Sequence, residues 1–246
     1  MGGENKPELI VNGKRLDGRM PDELRPIRIM TNVIKNADGS AYIEWGDNKI
    51  ICGVYGPKEA LPKHTGNPER AVVKCRYQMA PFSSLEDHGR TGPNRRAHEI
   101  SKVTKEVFEN AILLEQFPGN AIEIYIEVLQ SDGGTRAAGI TCAAVALATS
   151  GIPMRDVPFA VSVGKVGNTL ILDMNKIEDN YSDADVPICI SPRTGEILLL
   201  QMDGNITREE FSTIVAMIKK AGEKIGKIQR DALKAPYEAI SERYKR

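Results

Sequence analysis

Three clusters of residues have the types and spacing that chemistry needs. The first is Gly133-Gly134-Thr135-Arg136. Paired glycines let the backbone approach an anion closely, and free N–H groups at the start of a following helix point at it. Thr135 adds a hydroxyl, and Arg136 adds a planar fork suited to phosphate. No Gly-Lys-Ser/Thr follows at the right spacing, so the run is not a Walker A loop. Without a ligand the same residues make an ordinary glycine turn with Thr135 as N-cap. The second cluster is Arg95-Arg96, beside a loop and at the start of a helix. Adjacent arginines there can grip successive phosphates, or stand as a solvated pair; two positive charges at a helix start oppose the dipole. The third is Asp179 and Asp185, with Asp183 between them. A turn between them brings both carboxylates onto one hard cation such as Mg²⁺; otherwise they form an acidic turn.

An anion cradle, an arginine clamp and a carboxylate pair are the parts that phosphoryl transfer between two anions requires. No competing constellation is present. The histidines (His64, His88, His98) form no HxxxH or HExxH pair, and His88 and His98 have no obvious acidic partner by spacing. The four cysteines form no CxxC, which argues against a zinc knuckle or thioredoxin-like site and for free thiols in a reducing compartment.

The elements that must position these groups follow from periodicity. Strands are expected at 24–31, 40–45, 49–55 and 72–79, separated by turn signals at Ala37-Asp38-Gly39 and Gly46-Asp47-Asn48. A polar loop at 81–94 leads to a helix at 96–116, with Ile100, Val103, Val107, Ala111 and Leu114 on one face. Residues 121–129 read as a strand with Ile122, Ile124, Ile126 and Val128 on one side. A nearly uncharged, buried helix follows Arg136 and closes at Gly151 and Pro153. Strands return at 159–163, 169–174, 186–190 and 196–202. A last amphipathic helix opens at Thr207, whose capping box uses Glu210, and ends near Lys234 before Pro236. Strands thus precede a helix twice. The fold class is α+β, with two related sheet-and-helix halves sharing one core in a single domain over 1–246, its N-terminal extension covering about 1–20.

Composition excludes several classes. With 41% hydrophobic and 27% charged residues, the chain of 246 residues is neither disordered nor dependent on disulfides for a core. No run is long and apolar enough to span a membrane, and MGGENKPELIVNGKR has no apolar signal core, so a cytoplasmic location is expected. The formal net charge is zero, yet residues 57–105 carry ten Lys or Arg against five acids, while 173–185 carry five acids against one Lys. That asymmetry fits an anionic substrate and a bound cation, or two solvated loops.

The chain resembles the RNase PH-like proteins over nearly its whole length, and within them the catalytic subunit type of the archaeal exosome. The resemblance rests on Arg15-Leu-Asp-Gly-Arg19, Pro21-Asp-Glu-Leu-Arg25, Met79-Ala-Pro-Phe-Ser83 and Arg95-Arg96…Glu99-Ile-Ser101. It also rests on Leu129-Gln-Ser-Asp-Gly-Gly-Thr-Arg136, Gly151-Ile-Pro-Met-Arg-Asp156 and Glu178-Asp179…Asp185. It implies a 3′→5′ exoribonuclease in which inorganic phosphate, held by Gly134, Thr135 and Arg136, attacks the last phosphodiester of single-stranded RNA and releases nucleoside diphosphates, reversibly. Arg95 and Arg96 would hold phosphates near the RNA 3′ end. Asp179 and Asp185 would hold Mg²⁺ or Mn²⁺ or assist proton transfer to the leaving oxygen. The basic loop with Lys58, Lys63, His64 and Arg70 would grip RNA along a central channel. The implied assembly is a hexameric ring of three heterodimers, in which this chain alternates with a related non-catalytic subunit beneath RNA-binding cap subunits. A stand-alone RNase PH trimming tRNA 3′ ends and a non-catalytic RNA-binding ring subunit are the alternatives. The chain departs from relatives such as polynucleotide phosphorylase at Pro187, where they carry a basic residue.

Overall fold

A computed structural model describes residues 7–84 and 95–244. Most of the loop expected at 81–94 lies outside the described residues, as do residues 1–6 of the N-terminal extension.

Alternating burial builds the first sheet. Strands β3 (Ile27–Thr31), β4 (Gly39–Trp45), β5 (Asn48–Glu59), β6 (Val72–Met79) and β7 (Asn120–Gln130) follow a small hairpin of β1 (Ile10–Val11) and β2 (Lys14–Arg15). Their order is β3-β4-β5-β7-β6. In β7 the residues Ile122, Ile124, Ile126 and Val128 are fully buried, while Glu123, Tyr125 and Glu127 on the other face are only half-buried. β7 runs antiparallel to β5 and parallel to β6, so the chain must cross over between β6 and β7. That crossover contains α1 (Arg95–Ala111).

The second sheet has the order β11-β10-β8-β9, with β12 added beside β11 on β10. Its strands are β8 (Phe159–Val166), β9 (Thr169–Leu172), β10 (Ala184–Ile190), β11 (Ile197–Leu200) and β12 (Asp203–Gly204). Three long helices lie between the sheets and touch both. α1 packs on β6 and β11, α2 (Thr135–Thr149) on β4, β5, β8 and β10, and α4 (Arg208–Tyr244) on β3, β8 and β9. The two halves therefore share one core, and α2 is its centre: twelve of its fifteen residues are buried. A short helix, α3 (Lys176–Tyr181), joins β9 to β10.

Several boundaries differ from the sequence expectations. The helix expected to reach residue 116 stops at Ala111, because Ile112 bridges Met154 and the Leu113 N–H donates to the Pro153 carbonyl at 3.1 Å. Leu114–Gln116 forms a separate 3₁₀ turn. The last helix does not end at Lys234; it continues through Pro236 to Tyr244. Pro236 has no N–H for the carbonyl four residues back. That carbonyl, on Ala232, accepts instead from the Thr31 hydroxyl at 3.5 Å. The expected strand at 196–202 shortens to β11, with β12 beyond it, and α3, opened by an Asn175–Glu178 capping box, stands where no helix was expected.

A network of buried charge ties the N-terminal segment to the second sheet. Arg25 donates from its backbone N–H to Asp173 Oδ2 at 2.8 Å and from Nη2 to Asp173 Oδ1 at 2.7 Å. The Trp45 indole N–H adds a third bond to the same carboxylate, also at 2.8 Å. Burial by itself would raise the Asp173 carboxyl; the charge and hydrogen bonds of Arg25, with Trp45, outweigh it and hold the group below its usual value. Arg15, equally buried, forks onto both oxygens of Glu178 and donates to the Leu172 and Asp173 carbonyls.

Removing one member leaves its partner charged and dry, at a cost of about 3–5 kcal/mol. Arg25→Met is therefore expected to lower the thermal midpoint by roughly 6–20 °C for a chain of this size. A melting curve within about 2 °C of the parent's would show that the pair does not hold the fold together.

Candidate active site

The glycine run lies where β7 ends and α2 begins. Gly133 and Gly134 both have φ +67°, a left-handed conformation that favours glycine. At Gly133 there is a second reason: a Cβ would stand 2.6 Å from the Asn175 carbonyl carbon, at the N-cap of α3. The turn is fixed from outside as well. Arg25 donates to the Asp132 and Gly133 carbonyls, Asn48 Nδ2 donates to the Gly133 carbonyl at 2.6 Å, and Asn48 Oδ1 accepts from the Asp132 N–H at 2.6 Å. No side chain caps α2. Its first N–H groups thus lack both an intrahelical partner and a capping oxygen.

Across Gly133, α3 is held equally firmly. Asn175 and Glu178 form a capping box, and the same Glu178 carboxylate is the one gripped by Arg15. This places Asp179 in the first turn of α3.

A cavity of about 520 Å³ gathers the site. From α1 and α2 come Arg96, Glu99 and Arg136; from α3, the turn after it and the second sheet come Asp179, Ser182, Asp183, Asp185 and Asp203. Two guanidiniums thus meet five carboxylates in one space. The intervening turn does bring Asp179 and Asp185 together, as their spacing allowed. Burial, reinforced by Asp179, pushes Asp185 up to about 7, and burial also raises Asp179; Arg96 and Arg136 pull the other way without prevailing. Asp185 is paired across the strands with Asp203, a like-charge contact that costs stability. Asp185 Oδ1 is buried and has no hydrogen-bond partner among the described residues.

The remaining expected residues are distributed unevenly. Thr135 is buried, and its hydroxyl accepts from the Tyr77 phenol at 2.9 Å, so this side chain faces the core; its backbone N–H remains at the helix start. Arg95 is exposed and does not line the cavity. Lys63, His64 and Arg70 are exposed at the other end of β7, where Asn120 pairs with Glu59. With about 3.3 Å per residue, the 11-residue strand puts them roughly 30 Å from the glycine turn. Lys63 pairs with Glu59 at 2.9 Å, and Lys58 with Glu123 at 2.8 Å. Asp203 and Gln201, which contacts Arg136, carried no sequence signal; only the pairing of β10 brings them to the site.

Among the described residues, no three His, Cys, Asp or Glu side chains are placed to cage a metal ion. Two converging carboxylates, one with an orphaned buried oxygen, instead fit a hard cation that keeps several waters and shares phosphate ligands. No helix among the described residues is long and apolar enough to cross a membrane.

Residues 23–153 match the family model described as the 3′ exoribonuclease family, domain 1, and residues 156–221 match its domain 2. The chain is 54% identical over 241 residues to the exosome complex component Rrp41 of Thermococcus onnurineus, covering 96% of each chain. It is 56% identical over 223 residues to the protein of the same name from Thermoplasma volcanium, covering 91% of this chain and 90% of the relative. The structure of rice Rrp46 superposes with a TM-score of 0.80 at 25% identity, covering 89% of this chain and all of that one. A chain of the Archaeoglobus fulgidus exosome shares the fold, with a TM-score of 0.75 at 24% identity and coverage of 88% and 92%.

The raised Asp185 has a testable consequence. Between about pH 4 and 7 the folded state binds this proton more tightly than the unfolded state, so its contribution to stability falls as pH rises. Asp185→Asn should remove the penalty. With a chelator present, unfolding followed by circular dichroism is expected to show a gain of about 1–3 kcal/mol at pH 8 that shrinks toward zero near pH 4. A variant no more stable than the parent at pH 8 contradicts this account of the carboxylate.

Proposed function

Since the chain belongs to the RNase PH family of 3′ exoribonucleases, we propose that its cavity carries out phosphorolysis of single-stranded RNA as the catalytic subunit of an exosome-type ring. The observation that supports this reading best is the uncapped start of α2, whose Arg136 shares one cavity with Asp179 and Asp185. Inorganic phosphate is the natural cap for that helix start: the first N–H groups and the Arg136 fork hold it, and the dipole favours its charge.

In this reading an oxygen of the phosphate attacks the terminal phosphodiester. A new P–O bond forms, the bond to the preceding nucleotide's 3′ oxygen breaks, and a nucleoside diphosphate leaves with RNA one nucleotide shorter. Arg96, with Arg95 next to it in the chain, would neutralise the phosphates near the 3′ end so that two anions can approach. Asp179 and Asp185 would hold Mg²⁺ or Mn²⁺, which when bound stabilises charge on the leaving 3′ oxygen. A carboxylate pushed up to about 7 is also suited to pass a proton to that oxygen. The reaction reverses with excess nucleoside diphosphate, adding untemplated tails.

The assembly is proposed on the same footing. The curated relatives are named exosome components. This favours a ring of three heterodimers with a related non-catalytic subunit and RNA-binding caps over a stand-alone tRNA-trimming enzyme. The exposed basic loop with Lys63, His64 and Arg70, some 30 Å from the cradle, would grip the backbone of an extended strand. Aromatics make up only 5% of the chain, so few stacking platforms are available for reading bases. A cytoplasmic location belongs to this proposal.

The test uses 5′-labelled single-stranded RNA with the chain assembled with its related ring subunit. Shortening should require phosphate and release nucleoside diphosphates; monophosphate release without phosphate would mean hydrolysis and remove the cradle from its role. Asp179→Ala should abolish turnover while RNA binding survives, and unchanged turnover would displace the carboxylate. Arg136→Ala should raise the phosphate KM about tenfold to a hundredfold, the worth of one charge-assisted contact; an unchanged KM would end its assignment as the phosphate ligand.

A further inference from the structure

Arg136 does not stand free at the cavity. Its Nη1 donates to Gln201 Oε1, and Gln201 Nε2 donates onward to Glu99 Oε1 at 3.0 Å. Arg136 Nη2 lies 3.7 Å from the same Glu99, a contact too long for a hydrogen bond. Gln201 therefore connects α2, α1 and the second sheet through one amide. Among the described residues its one hydrogen-bonded side-chain partner is neutral, and Glu99 stands at ion-pair distance without a hydrogen bond, so the amide orients the guanidinium without adding a carboxylate directly bonded to it.

The backbone shows why Gln201 is where it is. In the β10 ladder, Ile188 pairs with Leu200 and Asp185 with Asp203. The same register puts Gln201 opposite Pro187. The Gln201 N–H donates to the Pro187 carbonyl at 3.2 Å, but proline has no N–H to return the bond. The ladder lapses over residues 201 and 202, separating β11 from β12. Pro187 thus coincides with the break in which Gln201 reaches Arg136.

We propose that Gln201 is a positioning residue for phosphate: it fixes the Arg136 fork toward the cavity while leaving the positive charge available to the anion. This rests on the phosphate-binding reading of Arg136. A purely structural partner would be improved by a carboxylate, since Arg–carboxylate bonds are the stronger kind. A positioning amide would be spoiled by one, because the carboxylate competes with phosphate for the guanidinium.

The test compares Gln201→Ala, Gln201→Glu and Arg136→Ala in the assembled complex, with phosphate KM, kcat and RNA KM measured separately. Gln201→Ala is expected to raise the phosphate KM about fivefold to tenfold, the worth of a single neutral hydrogen bond, with the change falling on KM rather than kcat and the RNA KM unmoved. Gln201→Glu should raise it further. A second measurement needs no turnover: the phosphate concentration giving half of the full thermal stabilisation should rise in the same order. If both glutamine variants keep the parent's phosphate KM and half-stabilising concentration while Arg136→Ala raises them, the positioning role is wrong and the phosphate site stands. Parent-like phosphate KM and half-stabilising concentration in Arg136→Ala overturn the phosphate site and the positioning role with it. A Gln201→Glu protein that binds phosphate as well as the parent also overturns the proposal.

Discussion

The frame of the cavity depends on two buried arginines that are not among its lining residues. Arg25 and Arg15 reach from the N-terminal segment into the second sheet, where Asp173 and Glu178 accept their charge. Arg25 then extends to the carbonyls of Asp132 and Gly133, so one guanidinium holds the glycine turn and the sheet edge together. Glu178 closes the α3 capping box with the same carboxylate that Arg15 holds. The two halves of the site, the uncapped helix start and the first turn of α3, are thereby locked backbone against backbone at Gly133 and Asn175. Buried ion pairs are costly to assemble and costlier to break singly, which suits a device meant to fix geometry.

The helical layer explains why the site can contain opposed charges. Its cations come from α1 and α2 and most of its carboxylates from α3 and the second sheet, so neither half of the chain has a working cavity alone. The local arrangement is unfavourable by itself: Asp185 faces Asp203 across the strands, and one of its oxygens is buried without a partner. Such groups persist because packing elsewhere overdetermines them. α2, buried on all sides between two sheets, is what can bear that cost.

Much of this was legible in the residues themselves. The alternation in 121–129, the apolar run after Arg136 and the Thr207–Glu210 capping box all report local physics, and each stands where expected. The glycine turn lies between strand and helix as read, and Asp179 and Asp185 converge on one cavity as their spacing allowed. What was missed is non-local. The apolar spacing of 96–116 continues past Ala111, but a bridge from Ile112 to Met154 ends the helix. Pro236 reads as a stop, yet Thr31 supplies a donor to the carbonyl it strands. Thr135 reads as a ligand hydroxyl until Tyr77 is seen to hold it. Gln201 and Asp203 have no pattern at all, since only strand pairing brings them to the cavity.

The position of α2 also sets a timescale. A helix enclosed between two sheets has no route to local fraying at its core-facing amides, so their hydrogens exchange with solvent only when the whole molecule opens. The cradle at its first turn is continuous with that slowest-opening unit. Its backbone is therefore anchored to the most slowly opening part of the fold, while its own uncapped N–H groups exchange without waiting for that opening.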